Sequence, residues 1–206
     1  PVLRTYVLSM IVLGHARSRD ELMNFFSKTF WAFQFKDLDK IEMILEKTLE
    51  LLENWGMIKE VKRDANLPDK GIEEKDEGMF ISAESLSKKG VDMRSSSSFG
   101  LNKTYVATIL GRRVAETYVD PYTANHIVLG LLRAKADGNF NPFGMLHTVC
   151  HTLELRPLLS VKSSEIEEIE DFYIKNEGLF FEKEPSYYDL EYNEYLESIK
   201  TALALN

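Results

Sequence analysis

The sequence has little that would support catalysis. Its 206 residues include one cysteine, Cys150, so no internal disulfide can form, and nothing around this residue resembles a nucleophile signature. No Gly-x-Ser-x-Gly elbow is present. No Gly-x-x-x-x-Gly-Lys-Ser/Thr loop is present either, which excludes ATP binding by a Walker-type phosphate loop. We therefore predict no catalytic residue and no cofactor in this chain.

Long hydrophobic runs are also missing. The longest, such as residues 6–13, fall far short of the ~20 residues that a membrane-spanning helix needs, and the N-terminal residues do not resemble a signal peptide. With 44% hydrophobic residues the chain can still build one large core or two small ones. We expect a globular, cytoplasmic protein with no membrane partner.

Basic residues are fewer than acidic residues, 25 against 33, so the formal net charge is −8. Non-specific affinity for nucleic acids comes mainly from neutralising phosphates, so DNA binding by this chain alone should be weak. Residues 163–197 hold twelve aspartates and glutamates against Lys175 and Lys183. The earlier part of the chain is closer to balanced, which leaves room there for a local basic patch.

Hydrophobic periodicity predicts three helices at the start of the chain. The third, over residues 38–55, is the clearest, and Gly56 ends it. Two strands, at residues 57–61 and 103–109, should then pair as a hairpin. Three helices followed by a hairpin, or wing, is the arrangement of a winged-helix domain. The polar residues 64–100 would be a long, flexible insertion in the wing.

The second half of the sequence is predicted to be helical throughout. Asp120-Pro121 and Asn141-Pro142 each place a helix-capping residue before a proline at the first helical position. The segment 164–167 fits a capping box that opens a further helix, and a last helix is expected over residues 189–205. The fold class is therefore mainly α, a winged helix followed by a partial helical bundle.

Five basic residues near the predicted wing are candidates for contacts with a nucleic-acid backbone. They are Arg112 and Arg113, in the helix after the second strand, and Lys59, Lys62 and Arg63, at the base of the wing. Arg113 could instead pair with an acidic residue, and basic side chains on exposed strands are common without function. The third helix has a net acidic outer face, which phosphates would repel, so we expect that face to dock on protein.

One histidine-rich string suggests metal binding. On a helix, His147, Cys150 and His151 would share one face and offer imidazole and thiolate ligands. A structural zinc site usually needs four ligands, however, and the sequence has no second cysteine, while His15 and His126 lie in unrelated segments. We therefore predict helix packing for the string and no metal site.

Several strings occur in the order in which they appear in archaeal DNA helicases of the Hjm type, members of the Ski-two-like branch of superfamily two. They are Leu3-Arg-Thr, Phe26-Ser-Lys-Thr-Phe-Trp-Ala-Phe-Gln34, Glu53-Asn-Trp-Gly, Gly111-Arg-Arg-Val, Tyr118-Val-Asp-Pro-Tyr-Thr-Ala124, Asn141-Pro-Phe-Gly-Met-Leu-His147 and Ile199-Lys-Thr-Ala-Leu-Ala-Leu205. Each string is modest by itself, but the ordered set is similar to that family over nearly the whole chain. The long wing insertion and the histidine-rich string depart from the family pattern.

The resemblance implies that residues 1–110 are a winged-helix domain and residues 111–206 the N-terminal part of a truncated helical ratchet domain. The parent would be an ATP-dependent DNA helicase that moves 3′ to 5′ at branched or stalled replication structures. Its upstream RecA-like motor domains would bind ATP and Mg²⁺. This chain would be a non-catalytic scaffold whose partners are those motor domains, the rest of the ratchet domain and DNA.

Two alternatives stay open at this point. The chain could be a free-standing winged-helix transcriptional regulator that binds duplex DNA, or its parent could act on RNA. Sequence-specific duplex binding with a steep salt dependence is the property that would favour the regulator.

Overall fold

The computed structural model describes residues 2–29, 38–61 and 103–206, and over these ranges the chain is mainly helical, as predicted. The helices are α1 (Val2–Val12), α2 (Arg19–Ser27), α3 (Leu38–Asn54), α4 (Ile109–Thr117), α5 (Pro121–Ala136), α6 (Pro142–Cys150), α7 (Ile166–Lys175) and α8 (Tyr192–Leu205), with a short 3₁₀ helix at Glu177–Leu179. The strands are β1 (Ile58–Val61) and β2 (Thr104–Ala107). No helix in these ranges has the length and hydrophobicity needed to cross a membrane. The predicted wing insertion, residues 64–100, lies outside the described residues.

The chain divides into two compact units, Pro1–Tyr118 and Val119–Asn206. The predicted domain boundary, after residue 110, falls inside α4, which belongs entirely to the first unit. The assignment of the two units as a winged-helix domain and a ratchet domain stays a prediction.

In the first unit, α1 contacts α3, α4 and β2, and α2 contacts α3. The strands are antiparallel, with Ile58 opposite Ala107 and Val61 opposite Thr104. Among the described residues of this unit, every helix and strand contributes to the core, whose side chains are Val7, Leu8, Ile11, Ala16, Leu22, Phe26, Ile41, Leu45, Leu49, Leu52, Met57, Ile58, Tyr105, Ala107 and Val114. The apolar periodicity of α3 therefore corresponds to one buried face of that helix.

The start of α4 lies directly against the turn between α3 and β1. The Thr108 hydroxyl donates to the Gly56 carbonyl at 2.7 Å, and its oxygen accepts the amide of Gly111 at 3.2 Å as a helix cap. The Thr108 amide donates to the Met57 carbonyl at 3.0 Å. A Cβ atom on Gly111 would lie 1.9 Å from that same carbonyl oxygen, so only glycine permits this close approach.

In the second unit, α5 and α6 begin where the cap-plus-proline signals predict. The side chain of Asp120 accepts the Tyr122 amide at 2.9 Å, and that of Asn141 accepts the Gly144 amide at 2.6 Å. Helix α8 contacts α6 and α7 and contributes three of the least exposed side chains, Tyr195, Leu196 and Ile199. The buried stripe of α8 thus organises the core of this unit.

The predicted capping box at residues 164–167 is wrong. Helix α7 begins at Ile166, and the residue before it, Glu165, makes no side-chain cap. Instead, the Glu165 carboxylate accepts the Lys162 amide at 2.8 Å and the Lys200 ammonium at 2.7 Å. The Glu165 side chain therefore binds Lys162 and α8 and does not cap α7.

The last helix also begins later than predicted. Asp189 accepts the Ser186 amide at 2.9 Å on its side chain, and its carbonyl accepts the Tyr192 amide at 3.1 Å. These two bonds make a turn before α8 begins at Tyr192.

Replacing Gly111 by alanine should destabilise the first unit by about 3 kcal/mol, because the new Cβ would force the backbone away from Met57. Both tryptophans, Trp31 and Trp55, fall between residues 1 and 118, so urea unfolding followed by tryptophan fluorescence reports on this unit. Gly178→Ala in the second unit, followed by the near-ultraviolet circular dichroism of that unit's tyrosines, is the control, since a Cβ there has no atom within 4 Å, and its effect should stay below about 0.5 kcal/mol. Equal effects of the two substitutions would contradict the tight contact.

Candidate functional site

The predicted backbone-contact residues that the structure describes lie in the first unit. Lys59 is exposed in the middle of β1, opposite Val106. Arg112 is exposed on α4, and within the described ranges its guanidinium has no ion-pair partner. Lys62 and Arg63 lie outside the described residues.

Arg113 pairs with an acidic residue, which is one of the two alternatives that the sequence allowed. Its guanidinium lies 3.0 Å from the Glu116 carboxylate one turn along α4, and the arginine side chain is 76% exposed. An exposed pair of this kind contributes little stability, so Arg113 can exchange it for another anion at small cost. Within the described ranges, Arg113 thus makes an ion pair and Arg112 makes none.

Two of the carboxylates on the acidic face of α3 form ion pairs within the first unit. The Arg19 guanidinium, from α2, binds the carboxylates of Glu42 and Glu46, the latter at 2.6 Å. Glu50 and Glu53 remain exposed on the same helix. The face therefore keeps a negative surplus, which phosphates would repel.

Charge is divided unevenly between the two units. The first unit holds 18 lysines and arginines and 18 aspartates and glutamates, whereas the second holds 7 and 15. The whole formal charge of −8 therefore belongs to the second unit. Because a surplus of carboxylates repels phosphates, contacts with a nucleic-acid backbone are favoured on the first unit.

The second unit contains a cluster of histidine and glutamate side chains. His126 comes from α5, His151 from the C-terminal cap of α6, and Glu182 from the segment after the 3₁₀ helix. The Nε2 atom of His126 lies 2.8 Å from Oε1 of Glu182, and Nδ1 of His151 lies 2.7 Å from Oε2. The Glu182 side chain is only 7% exposed. The fold thus holds a buried carboxylate between two imidazoles.

The electrostatics of Glu182 are set by these neighbours. Burial alone would raise the pKa of its carboxyl, but the close contacts with His126 and His151 outweigh burial and lower the pKa to about 2. The carboxylate is therefore ionised at neutral pH, and a positive partner at this place is strongly favoured.

His147 lies beside the cluster and is fully buried. The Ser198 hydroxyl donates to the Tyr195 carbonyl at 2.6 Å, so its oxygen accepts from His147 Nε2 at 3.0 Å. This pattern assigns the proton of the neutral ring to Nε2. Burial lowers the pKa of His147 to about 4, although Glu182 acts in the opposite direction. His147 is therefore a neutral packing residue at pH 7.

The histidine-rich string does not act together as a metal-binding face. His147 and Cys150 are buried by packing, while His151 turns toward Glu182. The sequence reasoning missed His126 and Glu182 as partners of His151. No local signal could have found them, because three separate segments supply the cluster.

Residues 143–206 match a family model described as archaeal helicase, domain 4. The match lies entirely within the second unit. The whole chain is also similar to proteins named ATP-dependent DNA helicase Hel308. It is 28% identical to the protein of Methanococcus vannielii over 170 residues, which cover 80% of this chain and 22% of that relative.

Two further relatives with the same name align over almost the full chain. Identity is 26% over 204 residues with the protein of Methanocella arvoryzae, covering 98% of this chain. It is 28% over 209 residues with that of Pyrococcus horikoshii, covering 100%. The chain spans 22% of the length of each of these two relatives.

The comparisons support an archaeal helicase-type segment. At that level the resemblance noted in the sequence is confirmed. The finer assignments, to the Hjm type, to a winged helix and to individual nucleic-acid contacts, stay predictions.

His147 should make the second unit less stable as the pH falls. Its pKa is about 4 in the folded protein and 6.5 when unfolded, so its contribution is complete above pH 6.5 and is lost as the pH falls toward 4. Between pH 7 and pH 5 the expected loss is about 2 kcal/mol. His147→Gln, which keeps a donor toward Ser198, should abolish this part of the pH dependence.

The measurement is urea unfolding in EDTA, followed by the near-ultraviolet circular dichroism of tyrosine. Six of the nine tyrosines lie in the second unit. His15→Gln, which changes an exposed histidine of the first unit, is the control and should behave as the wild type. The same pH dependence in wild type and His147→Gln would show that His147 is not the titrating group.

Proposed function

We propose that this chain is the winged-helix domain and the N-terminal part of the ratchet domain of an ATP-dependent DNA helicase of the Hjm type. The parent would move 3′ to 5′ on DNA at branched or stalled replication structures. One observation carries the proposal. The match with archaeal helicase domain 4 lies in the second unit, and relatives named as DNA helicases align with both units.

The architecture of the first unit supports the winged-helix part of the proposal. Within the described ranges, three helices precede an antiparallel strand pair, and the sequence between the strands is long and polar, as in an extended wing. Helix α4 then begins against the base of the strand pair, through the close contact of Gly111 with Met57. On this proposal α4 carries the chain from the wing toward the ratchet domain.

The role of the chain in such a helicase would be that of a scaffold. The sequence lacks a Walker-type phosphate loop, so ATP and Mg²⁺ would bind to upstream RecA-like motor domains of the same polypeptide. The negative surplus on α3 argues against insertion of this helix into a DNA groove. It favours docking of α3 on a protein partner, for which the motor domains are the proposed candidate.

Contacts with DNA would come from exposed basic residues of the first unit. Arg112 has a guanidinium that is exposed and, within the described ranges, without an ion-pair partner. Lys59 is exposed on β1. Contacts of this kind bind phosphates and position the protein without reading sequence. We therefore expect weak, salt-sensitive binding with no preference for a base sequence.

Arg112→Gln should weaken binding of the chain to a labelled forked DNA and reduce the slope of log K against log salt by about 1, because one phosphate contact is lost. Arg113→Gln should have only a slightly smaller effect, because a phosphate must first displace the weak, exposed pair of this guanidinium with Glu116. Lys175→Gln makes the same charge change on the second unit, at a side chain 71% exposed, and should leave the slope unchanged. Fluorescence anisotropy at several salt concentrations measures all three.

Other outcomes would contradict the proposal in distinct ways. Tight binding to one duplex sequence would indicate a transcriptional regulator. ATP hydrolysis by the isolated chain would rule out a non-catalytic scaffold. A clear preference for RNA over DNA of the same sequence would indicate a parent that acts on RNA.

A further inference from the structure

We propose that His126, His151 and Glu182 form a zinc site in the second unit. Each residue offers one ligand atom, and these atoms all lie within 4.8 Å of one another. Ligand atoms around a tetrahedral zinc ion are about 3.3 Å apart, since each bond to nitrogen or oxygen is about 2.0–2.2 Å long. The cluster is therefore already close to the spacing that zinc requires.

The contact between His126 and Glu182 is the observation that favours a metal site over an ordinary hydrogen-bonded group. Nε2 of His126 and Oε1 of Glu182 are 2.8 Å apart and both buried. They nevertheless do not have the geometry of a hydrogen bond, and in the described part of the chain neither atom has another hydrogen-bond partner. Buried polar atoms are rarely left in this state, because an unmade bond costs about 1–3 kcal/mol.

A cation next to both atoms would satisfy them together. The same ion would be within reach of His151 Nδ1, which lies 2.7 Å from the second oxygen of Glu182. The carboxylate could then use one or both of its oxygens as ligands, while each histidine contributes one ring nitrogen. The ion would also balance the buried charge of Glu182.

The ligand set selects the class of metal. Two imidazoles and one carboxylate make a borderline donor set that suits zinc better than calcium or magnesium, which prefer oxygen ligands. The side chains of His126 and His151 are 23% and 19% exposed, so water can reach the site and complete the coordination. The expected site thus has three protein ligands and at least one water.

A metal at this place would join three segments that are distant in sequence. It would tie α5 to the end of α6 and to the segment that carries Phe180 and Phe181, which are buried on the N-terminal side of Glu182. Because the unfolded chain does not hold these ligands together, binding energy would appear as stability of the second unit. The site does not depend on the proposed helicase role, since all three ligands lie within one unit.

The test is a titration of the metal-free full chain with ZnCl₂ by isothermal titration calorimetry at pH 7.5. The expected result is one zinc ion per chain, with affinity reduced at least tenfold in His126→Gln and in Glu182→Gln. His15→Gln is the matched control, because it removes an exposed histidine from the first unit, and it should bind zinc like the wild type. Circular dichroism checks that each variant is folded.

A second measurement covers the case in which the buried Glu182 variant does not fold. Zinc should shift the ring-nitrogen NMR resonances of His126 and His151 in the wild type and leave His147 Nε2 bonded to Ser198. Absence of zinc binding, or binding of equal strength in the wild type and His126→Gln, would overturn the proposal. In that case the cluster is an ion-paired group without a metal.

Discussion

Both units depend on one constraint, that a polar group removed from water must find a partner. In the second unit this constraint acts on the carboxylate of Glu182, which is 7% exposed and lies against two imidazoles. The rings of His147 and Tyr195 pack beside the imidazole of His151, and the ring of His126 packs against that of His151. The helices that supply these side chains are therefore fixed by electrostatics as well as by apolar burial.

The same constraint acts in the first unit on the backbone at the end of α3. The carbonyls of Gly56 and Met57 accept the hydroxyl and the amide of Thr108, and the missing side chain of Gly111 lets α4 approach them. Three roles therefore meet at this turn. It ends a helix, begins a strand, and receives the start of the next helix.

How far the fold could be predicted depends on whether each signal is local. The caps of α5 and α6 were predictable because Asp120 and Asn141 bind amides two and three residues ahead. The capping box at residues 164–167 failed because Glu165, and not Ser164, occupies the N-cap position of α7. The Glu165 carboxylate binds the Lys162 amide and Lys200 of α8, and the second of these contacts is invisible in the local sequence.

The candidate sites show the same division. Within the histidine-rich string, only the packing of His147 and Cys150 was predictable, since their burial follows from their place on an apolar helix. The partners of His151 were not predictable, because nothing near His126 or Glu182 in the sequence points to the other. Similarity to archaeal helicases was visible in ordered strings, since these are continuous segments.

The two units differ in formal charge, and neither the motifs nor the fold alone reveals this difference. A chain with a formal charge of −8 would be expected to avoid nucleic acid, yet the first unit, taken by itself, is formally neutral. Part of its acidic surplus on α3 is already bound to Arg19, whereas Arg112 is exposed. Because counterion release depends on local and not total charge, the first unit can contact phosphates even though the chain is acidic. The acidic second unit would then owe its role to packing around α8 and to the polar cluster, and not to attraction for DNA.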